Sequence, residues 1–304
     1  MKVLVTGLTG LVGSRFAELL ETSYELENLS LGAGTDILES QAVFEKVLSA
    51  NPDLVIHFAA KTNVDLCEED KEKDKEAIDS GDFTEIISEK SAWAVNVLGT
   101  KNLIDACKKL SKKIIYISTD FVFDGKKKSY IEEDLPNPIN WYAKTKHEGE
   151  LLIQKSDLNY QIVRIAYPYR AIFSKKDFVR AVLDRLSENE KLNMITDHIM
   201  VPTFIDDIVN GLNILIQKEE KGIFHMVGEE SVTPYQAALS IAKVFDLDES
   251  LISKTTRQEY FKNKAQRPFC LNLKNDKIGL LGIEMSTFEK GIIEVKNQRE
   301  KLNI

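Results

Sequence analysis

Tyr142 and Lys146 lie four residues apart in NWYAKTKHEGE, residues 140–150. On a helix that spacing puts them on one face. Two readings fit: an ordinary solvated surface, or a proton donor and its electrostatic helper in hydride transfer. The second needs a hydroxyl partner and a dinucleotide site nearby. The run KKIIYIST (112–119) supplies Ser118 and Thr119 at the end of a predicted strand.

A second constellation opens the chain. VLVTGLTGLVGSRFAELL sets Gly7, Gly10 and Gly13 between a short apolar strand and a helix. Gly7 permits a tight turn, Gly10 lets a diphosphate approach the backbone, and Gly13 lets helix and strand pack closely. Thr9, Leu11 and Val12 complete the loop and first helical turn, whose free N–H groups and positive dipole end suit phosphate. The spacing is GxxGxxG in place of GxGxxG. The residue that reads the adenosine ribose belongs at the end of the second strand, where an acid favours NAD and a basic residue NADP. Ser30 holds that place and is neither. Its hydroxyl tolerates a 2′-phosphate without attracting it, so the cofactor is NADP or NAD, with a slight lean to NADP. Asp36 and Ile37 follow, at the adenine end of the cofactor or, for Asp36, as a helix N-cap.

These groups need a scaffold that brings strand ends and helix faces together. Apolar runs at 3–6, within 24–31, and at 54–58, 112–119 and 160–166 alternate with helical patterns at 14–21, 38–50, 91–110 and 141–155. That alternation predicts an α/β fold, a Rossmann-type doubly wound parallel sheet over 1–167. Ligands in such sheets sit beyond the carboxyl ends of the strands, which places Thr119 on the correct rim. After 167 the rhythm changes. Helix candidates at 175–188, 204–218, 233–246 and 286–300 alternate with short β-like pieces such as KLNMI and GIFHMV. This reads as a smaller C-terminal α+β substrate-binding region, 168–304, part of it returning to the sheet. Residues 66–90 are densely charged with mixed signs and read as a surface insertion containing a solvated helix, or as a lid or oligomer contact.

The chain has 304 residues, 43% hydrophobic and 29% charged, which suits a globular protein with a sizeable core. No apolar run approaches the ~20 residues of a membrane span. MKVLVTGLTG reads as a buried first strand in preference to a signal peptide. Cys67, Cys107 and Cys270 have no paired spacing, which predicts a reducing cytoplasm and no zinc site. A net charge of −8 argues against a nucleic-acid partner. His57 and His225 read as core, His147 lies on another helix face than Lys146, and no cluster has metal-ligand spacing, so no metal is expected.

In order along the chain, TGxxGxxG, HFAA (57–60), NVLGT (96–100), ST (118–119) and YxxxK (142–146) resemble the extended short-chain dehydrogenase/reductase superfamily. Within it, STDFVFDG, PINWYAKTKHEGE, VRIAY, DFV (177–179), VPTFIDDIVNGL and RP (267–268) are similar to the dTDP-4-dehydrorhamnose reductase family across most of the chain. The resemblance implies a reductase of a 4-keto sugar nucleotide. Tyr142 then donates the proton, and Lys146 lowers its pKa from about 10 and bonds the nicotinamide ribose. Thr119 holds the carbonyl. Asn96 supports this network, and Phe58, Ala59, Ala60 and Lys61 line the cofactor. Thr62, Asp120 and Phe121 face the substrate. Tyr167 lines the sugar pocket or packs as a core aromatic. Arg170, Arg180 and Arg267 are candidates for the substrate diphosphate or are salt-bridge partners. Pro168 and His198 depart from the family's pattern.

Dehydratases of this superfamily resemble one another in a Thr-Asp-Glu run; here Thr119-Asp120-Phe121 lacks the glutamate, which disfavours water elimination. An NAD-dependent sugar-nucleotide epimerase and a non-catalytic NADP-binding regulatory subunit remain as alternatives. Family resemblance implies a homodimer.

Overall fold

The computed structural model describes residues 1–218 and 220–303. Its first half alternates strand and helix: β1 (Lys2–Thr6), α1 (Leu11–Leu20), β2 (Glu25–Leu29), α2 (Ser40–Ala50), β3 (Leu54–His57), α3 (Val64–Ser80), α4 (Thr84–Ser88), α5 (Gly99–Leu110), β4 (Lys113–Thr119), α6 (Trp141–Gln154) and β5 (Tyr160–Ile165). A six-stranded sheet runs in the order β2-β1-β3-β4-β5-β9, where β9 is Gly222–His225, the GIFHMV stretch. The pairings of β1 with β2 and β3, and of β3 with β4, are parallel. The chain leaves β1 to one side for β2 and returns to its other side for β3. That reversal makes the carboxyl ends of β1 and β3 the topological switch point, where ligands of such sheets bind.

The strands read as continuous apolar runs because helices cover their faces. Leu4, Val55, Ile114 and Ile162 from the strands bury against Val43 and Val47 of α2, Leu103 and Cys107 of α5, and Ile153 of α6.

The remaining elements are β6 (Pro168–Tyr169), α7 (Phe178–Ser187), β7 (Leu192–Ile195), β8 (Thr203–Phe204), α8 (Ile205–Lys218), α9 (Pro234–Val244), β10 (Ile252–Thr255), α10 (Arg257–Tyr260), α11 (Asp276–Gly279) and α12 (Phe288–Lys301). Two small parallel ladders, β6 with β8 and β7 with β10, accompany a core built on Val179, Val182 and Leu183 of α7, Ala237 and Ile241 of α9, and Ile292 and Val295 of α12.

By compactness the chain forms two units that interleave in sequence. One comprises Met1–Val122, Pro136–Val163 and Glu220–Ile223; the other comprises Phe123–Leu135, Arg164–Glu219 and Phe224–Ile304. No helix among the described residues is long and apolar enough to cross a membrane.

Two expectations need correction. The helical pattern at 91–110 is not one regular helix: Ala94–Leu98 forms a π-helical turn before α5. The charged stretch 66–90 is not wholly solvated. It forms α3 and α4, with Cys67, Asp74, Ala77 and Ile86 buried, and α3 packs on α6. Charge density misled because the segment is amphipathic in a polar sense, and several of its carboxylates point inward onto N–H groups.

Candidate active site

Helix α6 begins where its free N–H groups find acceptors. The Asn140 side chain accepts from Ala143 N at 2.9 Å, and Glu68 Oε2 of α3 accepts from Trp141 N at 2.8 Å. Both satisfy first-turn donors, and the carboxylate also suits the positive helix end. The next residue is Tyr142, and Lys146 follows one turn later.

Lys146 is 3% exposed. Its Nζ donates to the Ile117 carbonyl at 2.8 Å and lies 4.0 Å from the centroid of the Tyr116 ring. Thr119 ends β4. Its hydroxyl is hydrogen-bonded to the Tyr142 hydroxyl and donates to Asp120 Oδ1 at 3.0 Å. The Phe121 ring meets Tyr142 edge-on, centroids 6.2 Å apart. Thr119, Asp120, Phe121, Tyr142 and Lys146 therefore converge at the carboxyl end of β4.

Electrostatics at this site differ from expectation in one respect. Burial raises the Tyr142 pKa above the ordinary tyrosine range, opposed by the Thr119 hydrogen bond and assisted by Asp120. The Lys146 ammonium itself lies on the Ile117 carbonyl and the Tyr116 ring. Burial also lowers Lys146 to about 7, opposed by Glu150, and raises Asp120 to about 7.

Asn96 sits in the π-helical turn, a distortion that recurs at functional sites. Its Oδ1 accepts from Lys61 N at 2.8 Å, and its Nδ2 donates to Lys61 O and Thr145 Oγ1 at 3.0 and 2.9 Å. Thr145 in turn donates to the Tyr142 carbonyl at 2.8 Å. Asn96 thus fastens the segment that follows β3 to α6. The Lys61 ammonium pairs with Asp70 at 2.6 Å, and its backbone N–H and carbonyl are both engaged by Asn96.

The chain of bonds continues to β1. Thr100 donates to Asn96 O, so it accepts from His57 Nε2–H at 3.0 Å, and His57 Nδ1 accepts from Thr6 Oγ1 at 2.7 Å. His57 is the core residue the sequence suggests; burial holds it neutral, its pKa pushed down to about 3.

At the switch point Gly7 has φ +69°, and a Cβ there would lie 2.7 Å from Ala59 N, so glycine is required twice over. A Cβ on Gly10 would meet Gly7 O at 3.1 Å and no second atom within 4 Å, which leaves an open cradle. No side chain caps α1, whose first-turn residues are Leu11, Val12 and Gly13; the Val12 side chain is core. Thr9 and Thr62 are exposed, and Phe58 packs on Phe16. Ser30 Oγ at the end of β2 is buried with no hydrogen-bond partner. An uncapped helix end, an open glycine cradle and an orphaned hydroxyl fit the diphosphate and ribose of a dinucleotide.

Asp36 is not the N-cap of α2, which starts four residues later after Glu39. It accepts from Leu38 N and pairs with Lys90 at 2.9 Å. The Ile37 side chain covers Gly99.

In the second unit, Tyr167 takes φ +40° immediately before Pro168, a backbone that residues preceding proline avoid. Its hydroxyl donates to His198 Nε2 at 2.8 Å, while His198 Nδ1 donates to the Pro268 carbonyl at 2.9 Å. Burial lowers His198 to about 4. Arg180 is structural: it binds Asp177 and the carbonyls of Phe173 and Lys175. Arg170 is 6% exposed, its guanidinium over Phe173. Arg267 donates to Ala265 O and lies over Phe261.

Sequence reasoning missed Tyr116, Thr145, Glu68 and Asp74. Tyr116 sits in an apolar strand run and the two acids in a charged helix, so neither pattern singles them out.

The family model described as RmlD substrate binding domain matches residues 1–89 and 77–300. The chain is 29% identical to dTDP-4-dehydrorhamnose reductase of Aggregatibacter actinomycetemcomitans, over 98% of this chain and 99% of that one. It is 30% identical to methionine adenosyltransferase 2 subunit beta of Bos taurus, over 96% and 86%. Among solved structures, dTDP-4-dehydrorhamnose reductase of Bacillus anthracis in complex with NADP superposes with a TM-score of 0.85 at 26% identity, covering 98% of this chain and 99% of that one.

Proposed function

Because the chain belongs to the RmlD substrate binding domain family of the extended short-chain dehydrogenases/reductases, we propose that it is an NAD(P)H-dependent reductase of the 4-keto group of a nucleotide sugar. The observation that carries this reading is the convergence of the Thr119, Tyr142 and Lys146 side chains at the carboxyl end of β4. NADP in the Bacillus anthracis relative, and the orphaned Ser30 hydroxyl where an acid would repel a 2′-phosphate, support NADP as the cofactor.

Bound NAD(P)H supplies the hydride to the carbonyl carbon. The protein's residues do the rest. Thr119 holds the carbonyl oxygen with its hydroxyl and sets its distance from Tyr142. Tyr142, with its pKa above the ordinary range, keeps its proton through the working pH and releases it to the oxygen as negative charge grows there. Lys146 supplies positive potential from the dry side of the helix. Asn96 and Thr145 fix the turn that carries Tyr142 against the segment after β3.

The test mixes the protein with NADPH or NADH and a panel of nucleotide 4-keto sugars and follows nicotinamide absorbance. Oxidation of NADPH dependent on such a sugar is expected. Tyr142→Phe lowers turnover by about 100-fold or more while NADPH affinity stays within about twofold. Normal turnover by that variant removes Tyr142 from the mechanism.

A second reading is favoured by the cattle relative, whose name makes it the beta subunit of a methionine adenosyltransferase. In that reading the chain binds the dinucleotide and joins an adenosyltransferase. Co-purification with such an enzyme, without sugar-dependent NADPH oxidation, establishes it.

A further inference from the structure

Lys146 presents an unusual electrostatic problem. Its ammonium is inside the protein, and the groups that meet it directly are a carbonyl, Ile117 O at 2.8 Å, and the Tyr116 ring face at 4.0 Å. The carboxylate that acts on it, Glu150, stands one turn further along the same helix. A desolvated cation on a ring face is held by the ring's negative quadrupole more strongly than in water.

Tyr116 is built into this place from three sides. It is fully buried in β4. Its hydroxyl donates to the Lys146 carbonyl at 3.2 Å, and it occupies space that a Cβ on Gly149 would fill. Its ring packs against His57, centroids 5.5 Å apart, and His57 is neutral and pinned between Thr6 and Thr100. The ring therefore cannot swing away from the ammonium.

We infer that Tyr116 is a positioning residue for Lys146: its ring face holds the ammonium charged in the dry interior, and its hydroxyl fixes the helical turn that carries it. As far as catalysis is concerned, this rests on the reductase reading. The titratable groups around the ammonium are Tyr116 on β4, His57 on β3, and Tyr142 and Glu150 on α6. His57 stays uncharged above about pH 3, so within the working range the ring and Glu150 oppose the burial that pulls Lys146 down to about 7.

The test replaces the ring's electrons without removing the ring. Tyr116→Phe and the same substitution carrying one, two and three ring fluorines are made in the full-length protein. Lysine labelled at its ε carbon is titrated by NMR, with the Lys146 signal assigned through Lys146→Met. The midpoint is expected to stay near its parental value in Tyr116→Phe and to fall with each fluorine, by about one pH unit at three. The alkaline limb of sugar-dependent turnover falls with it, since loss of the ammonium ends its help to Tyr142. A residue that merely packs would change stability without grading the midpoint. Identical midpoints in the unfluorinated and trifluorinated proteins overturn the inference. A parental protein without turnover defeats the reductase reading, while the NMR titration still decides the role of Tyr116.

Discussion

Asp120 shows how one buried side chain ties the site to pH. It is 2% exposed; Oδ1 takes the Thr119 hydroxyl and Oδ2 has no partner. Burial raises its pKa from 3.8 to about 7. A group whose folded pKa is raised contributes stability that is fully present below its unfolded value and is lost as pH rises through the folded value. Asp120 therefore costs stability progressively between about pH 4 and 7. Asp120→Asn does not titrate, so it should gain on the parental protein across that window, by up to about 4 kcal/mol. Urea denaturation at pH 4.5, 6 and 8 measures the difference. A constant difference across the three would place the titration elsewhere.

At the scale of elements, the charged helix α3 is a brace for α6. Asp74 Oδ2 accepts from Trp141 Nε1 at 2.6 Å and Trp93 N at 3.0 Å, Glu68 takes Trp141 N, and Asp70 takes Ala92 N at 2.7 Å. Three acids of one helix thus hold the start of α6 and the approach to the π-helical turn. Asp74→Ala leaves the Trp141 Nε1–H and Trp93 N–H donors without this acceptor and should cost about 1–3 kcal/mol. Asp74→Asn keeps an acceptor oxygen and should cost less. Because Trp141 precedes Tyr142, turnover should fall in the alanine variant with NADPH affinity retained. Denaturation and steady-state kinetics on both variants check this; equal losses would show that the acceptor oxygen does not matter.

Across the whole molecule, each unit buries a neutral histidine in a hydrogen-bonded relay: His57 between Thr6 and Thr100 in one, His198 between Tyr167 and Pro268 in the other. Their folded pKa values, about 3 and about 4, lie below the ordinary 6.5. Above 6.5 both contribute no penalty. As pH falls, the unfolded chain binds protons there and the folded one does not, so stability drops until about pH 4 for His198 and about pH 3 for His57. Calorimetry at pH 7 and 4.5 should show a lower midpoint at 4.5. His198→Gln, which keeps polar atoms without titrating, should shrink that pH dependence.

The amino-acid sequence alone specifies the parts of this protein that repeat locally. Alternating apolar runs and helical patterns mark β1 to β5 with their helices, the glycine spacing marks the turn at Gly7, and the four-residue interval marks Tyr142 and Lys146. Each depends on contacts within a few residues, so periodicity and backbone freedom reveal it. Only the tertiary structure decided where the Lys146 ammonium points, that Tyr116 lies beneath it, that Asp74 and Glu68 brace α6 from a helix that reads as solvated surface, and that Asn96 stands in a π-helical turn. Those facts join residues tens of positions apart. A buried charge takes its environment from whichever strands and helices close around it, and no local pattern encodes that.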